Sequence, residues 1–449
     1  MKNAVRLISV VSIGILVLFG FRMVLDLHRL QLDIQIKESK ANLWTPNGSA
    51  RSFTRGSKTD ADHDLGCLTH KSISMKQSES GNVGSDPSKT VLEHFNATRC
   101  GRLKRNWLHN PPLSDYAKKI EAHQSNCSIP LATHHFDNTF GLGSHMVLWG
   151  QAMCNSMEEK YRMRSHAPNW IWMDHEHCDM QVAALSPTLC YFPASEYKCS
   201  PALNKMTSSR AETGSIVVAQ SDIITPINAT DPRREKLWCA LVRESEESKA
   251  MVRASSTEYL FQRLSPLVIR EAQRQVGIIF PDGVVPEDLV TVHIRWGDKF
   301  WEMDLPPIQE YIDAVNAILA GKNILDNDNT TIPNATVANI YLATEDTKAY
   351  NEFMEAKPEG WNVYADITLL EIDGFRPRKG NRASWAARNT KGRAGLVALA
   401  SLLVAMESTM FVLTTKSNWS TLMNHLRTNI VDPRCGNCTR MIDLRPGVW

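Results

Sequence analysis

The second half of the chain alternates strand-like apolar runs with helical ones, and that alternation leaves few folds open. Leu289–Arg295 (LVTVHIR) reads as a strand of the buried type. Pro307–Ala320 follows with helical periodicity and a proline near its start. Ala338–Thr344 is again strand-like, Lys348–Met354 a short helix and Asn362–Ile367 a strand. Gly392–Ser408 is a long apolar helix and Met410–Leu413 a strand. Strands separated by helices pair in parallel, so this half is expected to be a doubly wound α/β sheet. Ligands of such sheets lie beyond the carboxyl ends of the strands. That rule selects Arg295–Glu302, Thr344–Asp346 and Thr414–Ser417.

The first half is less regular. Gly141-Leu-Gly143-Ser144 leads into a helical stretch, His145–Tyr161, with apolar Met146, Val147, Trp149, Ala152 and Met153. Pro168–Met173 (PNWIWM) and Gly214–Ala219 read as strands, and Arg253–Gln275 has helical periodicity before the turn at Pro281-Asp-Gly283. Trp149, Trp170 and Trp172 have the spacing of packing residues.

The densest chemistry is His293-Ile-Arg295-Trp-Gly-Asp298-Lys299-Phe-Trp-Glu302. A strand delivers one imidazole, two cations and two carboxylates into one loop. A planar guanidinium at Arg295 suits a diphosphate, which it can grip with two hydrogen bonds. Lys299 adds a point charge, and Glu302 is a candidate base for removing a hydroxyl proton. A GxG such as Gly141–Gly143 is by itself as compatible with a tight turn as with phosphate at a helix start.

VTVHIRWGDK, followed by Glu302 and PIQEY, resembles the nucleotide-binding motif of fucosyltransferases that use GDP-fucose, above all the alpha-1,6-fucosyltransferase family and more distantly the protein O-fucosyltransferases. Ile340-Tyr-Leu-Ala-Thr344-Glu-Asp346 resembles that family's second motif, and Met410–Ser420 (MFVLTTKSNWS) its third. Gly141–Ser144 with its helix, and Asn169–Met173, resemble its first Gly-rich loop and the strand after it. The resemblance covers roughly 120–430. It implies a GT-B-like fold of two Rossmann-like lobes around a cleft, and an inverting transfer that needs no metal or other cofactor, with GDP-fucose as donor substrate. Arg295 would hold the diphosphate, Glu302 would be the base and Lys299 would support it. His293, Asp298, Gly141, Gly143, Asp346 and Ser417 would line the nucleotide site. The chain departs from the family pattern at three places. Trp296 replaces a second arginine, Ser401 stands at an expected aspartate, and the stretch from Lys299 to Glu302 is one residue short, which keeps Asp304 open as the base.

Composition bounds the partners. Lys+Arg is 50 against Asp+Glu 48, so no charge excess points to nucleic acid. Leu7–Leu25 is predominantly apolar, carries one charge, Arg22, and follows Lys2 and Arg6. As a helix it spans about 28 Å, close to a bilayer core of roughly 30 Å, and its flanking charges orient it with the bulk of the chain lumenal. A cleaved signal peptide is the rival reading. Asn-x-Ser/Thr triplets at Asn47, Asn96, Asn126, Asn228, Asn329, Asn334, Asn418 and Asn437 all follow this run. Ten cysteines then suit disulfides, with Cys435–Cys438 stapling the C-terminus, better than a zinc site. His175-Glu-His177-Cys178 reads as a polar loop with a disulfide-bonded cysteine, a zinc site there being the lesser alternative.

The expected organisation is a cytoplasmic tail over 1–6, a signal anchor over 7–25 and a stem over 26–92. An acceptor-side lobe over 93–285 and a nucleotide-sugar lobe over 286–449 follow. The whole reads as a single-pass type II Golgi membrane protein whose partners are GDP-fucose and a glycan or glycoprotein acceptor. A transferase using another nucleotide sugar, and a glycan-binding protein without turnover, are the alternatives.

Overall fold

The computed structural model describes 101–136, 140–166, 170–196, 217–220, 239–321, 335, 337–366 and 383–447. All belong to one compact unit, Asp64–Trp449. The expected anchor and stem lie outside the described residues, as do the triplets at Asn47, Asn96, Asn228, Asn329 and Asn334. No described helix is long and apolar enough to cross a membrane.

The described residues form a mixed α/β structure with two parallel sheets. The first has the order β2-β1-β3, with β1 Leu131–His135, β2 Arg162–His166 and β3 Val217–Gln220. The second has the order β6-β5-β4-β7-β8. Its strands are β4 Leu289–His293, β5 Ala338–Ala343, β6 Trp361–Ala365, β7 Met410–Leu413 and β8 Arg440–Asp443, all paired in parallel. The helices that matter below are α1 Asp115–Ser125, α2 Leu142–Glu158, α3 Glu246–Leu260, α4 Pro266–Ile279, α5 Ile308–Leu319, α6 Thr347–Ala356, α7 Ala383–Asn389, α8 Arg393–Ala405 and α9 Asn418–Leu426.

The period of two along each strand explains why the larger sheet is covered on both faces. Val290 and Val292, Ile340 and Leu342, and Met410 and Val412 join one core with Ile308, Ile312 and Val315 of α5 and Phe353 of α6. The alternate residues Leu289, Tyr341, Ala343, Phe411 and Leu413 join the other, with Leu396, Leu399 and Leu403 of α8. This second core continues without a break to Val268, Ala272 and Val276 of α4 and to Trp149, Trp170 and Tyr259 beside the smaller sheet.

Two expectations are corrected. Trp170–Met173 is a turn, with the Met173 N–H bonded to the Trp170 carbonyl at 3.1 Å, and not a strand. The tryptophans are buried in the core, and their indole N–H groups are satisfied there, Trp170 Nε1 donating to His145 Nδ1 (2.8 Å) and Trp172 Nε1 to the Phe140 carbonyl (3.1 Å). Alternating aromatics mimic a strand whenever an irregular loop fills a core. The stretch Arg253–Gln275 breaks into α3 and α4 at Ser265-Pro266, where Pro266 starts α4 and Ser265 is extended at ψ 149°.

Buried polar groups are held by many partners. Glu196, 2% exposed, accepts from Trp149 Nε1, the Ser165 N–H, and the hydroxyls of Ser165, Ser186 and Thr188. Five donors replace the water that this carboxylate loses. Disulfides join Cys154–Cys239, Cys178–Cys190 and Cys435–Cys438. Cys178 is therefore a crosslink and not a zinc ligand, and His177 Nδ1 lies 3.1 Å from Asp174 Oδ2. Asp432 lies beside the Cys435–Cys438 bridge and accepts from Arg427 and Thr439.

Candidate active site

In the larger sheet β4 pairs with β5 on one side and β7 on the other. The chain builds outward from β4 through β5 and β6 and then returns to its other side with β7 and β8, which makes the carboxyl end of β4 the switch point where a doubly wound sheet opens a crevice. His293 ends β4, and the Ile294 N–H still reaches the Ala343 carbonyl of β5 at 3.0 Å. Arg295 comes next. Its Nη1 pairs with Glu345 Oε1 at 2.7 Å and donates to the Trp296 carbonyl at 3.1 Å.

Gly297 then turns the chain at φ +73°, a left-handed conformation that glycine adopts without strain. A Cβ at this position would lie 3.4 Å from Asp346 Oδ2 and 3.7 Å from Arg295 Nη1. Arg295, Gly297 and Asp346 therefore meet at one point. Asp346 caps α6: its Oδ1 accepts from the N–H groups of Lys348 (2.9 Å) and Ala349 (3.0 Å), and Oδ2 faces Gly297.

Gly297–Trp301 is a 3₁₀ turn. Lys299 Nζ and Glu302 Oε2, three residues apart, form an ion pair on one side of it. The Glu302 side chain is 48% exposed, whereas that of Asp304 is 92% exposed and lies 3.5 Å from Arg445. The position of Asp298 is in this turn; its side chain is not among those described. Trp296 points inward, donating from Nε1 to the Pro306 carbonyl at 3.1 Å, so the residue that replaces an arginine serves as an anchor of the turn.

His293 is buried. Its Nδ1 shares a 2.6 Å hydrogen bond with Ser420 Oγ of α9, which also accepts from the Thr414 N–H at 3.2 Å. Burial, with the neighbouring Arg295 charge, lowers its pKa to about 3. Burial, with Arg253, lowers that of His425 to about 4. Both imidazoles stay neutral in the fold but take up protons more readily in the unfolded chain. Their stabilisation is complete above the ordinary histidine pKa and is lost as pH falls from there toward 4 and 3. Urea unfolding is expected to show each histidine contributing about 2 kcal/mol less at pH 5 than at pH 7. A stability unchanged between these pH values would contradict neutral burial.

The Gly-rich segment meets the third motif directly. Gly141 is the N-cap of α2, and Gly143 lies in its first turn. A Cβ on Gly143 would stand 3.2 Å from the Trp419 nitrogen and 3.3 Å from the Asn418 carbonyl carbon. Asn418 Nδ2 donates to Ser144 Oγ at 2.8 Å. Ser417, 2% exposed, is the N-cap of α9. The N-termini of α2 and α9 thus lie together, and their unsatisfied N–H groups with their dipoles make a favourable place for anionic oxygens.

The structure therefore groups Gly141, Gly143 and Ser417, and separately Arg295 with Asp346 and Lys299 with Glu302. Ser420 links the ends, since α9 begins at Asn418 and holds His293 through Ser420. Sequence reasoning missed Glu345, Asn418 and Ser420. The second acid of Thr344-Glu345-Asp346 and the polar SNWS run after β7 were the available signals. Ser401 faces the interior, where its hydroxyl lies 2.7 Å from the Tyr341 hydroxyl.

No known family model and no curated protein matches this sequence. Solved structures similar to it include the NodZ alpha-1,6-fucosyltransferase soaked with GDP-fucose, at 11% identity over 66% of this chain and 92% of that one, TM-score 0.34. A mutant of Arabidopsis thaliana FUT1 in complex with GDP aligns at 11% identity over 75% and 76%, TM-score 0.36. The fucosyltransferase NodZ from Bradyrhizobium aligns at 11% identity over 67% and 93%, TM-score 0.33. All three are fucosyltransferases, and the first two hold GDP-fucose or GDP.

Proposed function

We propose that this chain is a glycosyltransferase of GT-B-like architecture that moves fucose from GDP-fucose to a glycan hydroxyl. The observation that carries the reading is the convergence of Arg295, Gly297 and Asp346 at the carboxyl ends of β4 and β5. It coincides with the three ordered motifs read from the sequence. Arg295 exchanges Glu345 for the donor diphosphate, gripping it with its planar fork. The N–H groups at the starts of α2 and α9 supply further positive potential. The acceptor oxygen attacks the anomeric carbon from the face opposite the diphosphate. The carbon–oxygen bond to GDP breaks with its electron pair leaving on GDP, and Glu302 receives the acceptor proton. Lys299 steadies the Glu302 carboxylate. Asp304, drawn outward by Arg445, is the poorer base. His293 stays neutral and, with Asp298 and Ser417, is proposed to contribute to the nucleotide site. Positive side chains and helix ends stabilise the departing GDP, so the step is proposed to proceed without a metal.

Leu7–Leu25 is proposed to anchor the chain in the Golgi membrane with the catalytic part in the lumen, where glycans or glycoproteins are the acceptors. The motivation is the pair Lys2 and Arg6 ahead of the apolar run and Asn-x-Ser/Thr triplets only after it.

Arg295→Lys retains the charge but loses the fork. It is expected to lower turnover by about 10²-fold or more, the scale of one preorganised donor. Unchanged turnover would remove the diphosphate role.

The donor base is tested by calorimetry with GDP, UDP, ADP and CMP. Guanine presents an N1–H and an exocyclic amine, which a carboxylate accepts well. Ser401 lacks the carboxylate, and its hydroxyl is engaged by Tyr341. GDP is therefore expected to bind best, with discrimination about 10- to 150-fold below that of a homologue retaining the aspartate. UDP binding as tightly as GDP would sink the fucosyl donor and promote a different nucleotide sugar.

A further inference from the structure

Three Asn-x-Ser/Thr triplets fall on described residues, and their surroundings differ in kind. Asn126-Cys127-Ser128 is exposed at all three positions, just past the end of α1, where Asn126 is the C-cap. Asn126 Oδ1 accepts from the Ser128 N–H at 3.2 Å and from the Ser128 hydroxyl at 2.6 Å. This Asx turn fixes the amide through its oxygen, and neither bond uses Nδ2.

Asn418-Trp419-Ser420 is the opposite case. Its Nδ2 donates to Ser144 Oγ at 2.8 Å, and its Ser420 hydroxyl is buried between His293 and the Thr414 N–H. The backbone here is also packed tightly on α2, since a methyl group on Gly143 would stand 3.2–3.3 Å from the Asn418 and Trp419 backbone. In Asn437-Cys438-Thr439 the middle cysteine is disulfide-bonded, as Cys127 is too, and what differs is the Thr439 hydroxyl, which is buried and bonded to Asp432 and Arg427.

We propose that Asn126 is a modification site carrying an N-linked oligosaccharide, whereas Asn418 is a strut between α2 and α9 that must stay bare. The inference rests on the lumenal topology proposed above. The co-reactant is a lipid-diphosphate-linked oligosaccharide, transferred by the glycosylation machinery of the secretory pathway. Asn126 Nδ2 forms a bond to the first sugar's anomeric carbon and gives up one proton to that machinery's base. The bond from this carbon to the lipid diphosphate breaks, and the diphosphate leaves with the electron pair. The product is bulky and hydrophilic, which an exposed turn accommodates and the junction at Asn418 does not.

The test is expression of the full chain in a eukaryotic host, followed by peptide mass spectrometry after an endoglycosidase that leaves one N-acetylglucosamine. The Asn126 peptide is expected to carry this remnant and the Asn418 peptide to lack it. Asn126→Gln and Ser128→Ala should each remove one step of gel mobility, and Ser128→Thr should restore it. A bare Asn126 in a chain glycosylated at Asn47 or Asn96 overturns this inference and leaves the topology standing. A chain bare at every triplet overturns both. A glycan on Asn418 in protein that still binds GDP overturns the strut.

Discussion

Glu302→Gln is expected to lower fucosyl transfer by about 10²- to 10⁴-fold, the usual contribution of a positioned base, while GDP binding stays near that of the unsubstituted protein. The amide keeps the size of the carboxylate and can still meet Lys299, but it cannot accept the acceptor proton. Arg295 grips through the side that pairs with Glu345, whereas Glu302 pairs with Lys299, and this is the reason donor affinity should be spared. Asp304→Asn is the matched control. Its carboxylate is drawn toward Arg445, so its loss should leave turnover within a few-fold. Single-turnover transfer with GDP-fucose and calorimetry with GDP read the two quantities apart. Full activity in Glu302→Gln together with loss in Asp304→Asn would move the base to Asp304. Full activity in both would show that neither carboxylate is the base, and absence of transfer by the unsubstituted chain would favour a glycan-binding protein.

Gly395→Ala is expected to destabilise the chain by about 3 kcal/mol or more, the scale at which overpacking meets rigid backbone. The added Cβ would fall 2.0 Å from the Trp172 carbonyl oxygen, and no flexible side chain is present to yield. Its neighbour Gly392 is as constrained: at φ +85° its Cβ would fall 1.7 Å from the Met173 carbonyl oxygen. Here the start of α8 lies directly on the loop at Trp172–Asp174, and Arg393 continues the contact. Its guanidinium stands 3.6 Å from Asp174 and 3.7 Å from Glu271. Separation of this contact would loosen the core that runs from the larger sheet to Trp170 and Tyr191. The urea midpoint of Gly395→Ala measures the effect, and a midpoint equal to that of the unsubstituted chain would show that the two backbones can part without loss.

Most strands and helices of the second half were legible because their signals are local, whereas α7, α9 and β8 were not read from the sequence. Residues apolar on both faces mark β4, β5 and β7, and Pro307 marks the start of α5. The loops after those strands were legible too, since a parallel sheet of this kind sends its functional residues to one edge. What failed locally was the PNWIWM segment, where Trp170 and Trp172 are buried by partners far away in sequence, His145 and Phe140. The same limit governs the site. No spacing in the sequence reveals that Arg295 meets Glu345, that Ser420 holds His293, or that Asn418 reaches back 274 residues to Ser144. The first pairing arises only when β5 takes its place beside β4, and the other two only when β7 does so on the far side and carries α9 against the start of α2. Gly143, Gly392 and Gly395 follow the same logic. In the sequence they are three glycines in helical stretches, where glycine is unfavourable. In the tertiary structure another segment's backbone comes too close for any side chain at Gly392 and Gly395, and close enough to crowd one at Gly143, a proximity set by packing alone.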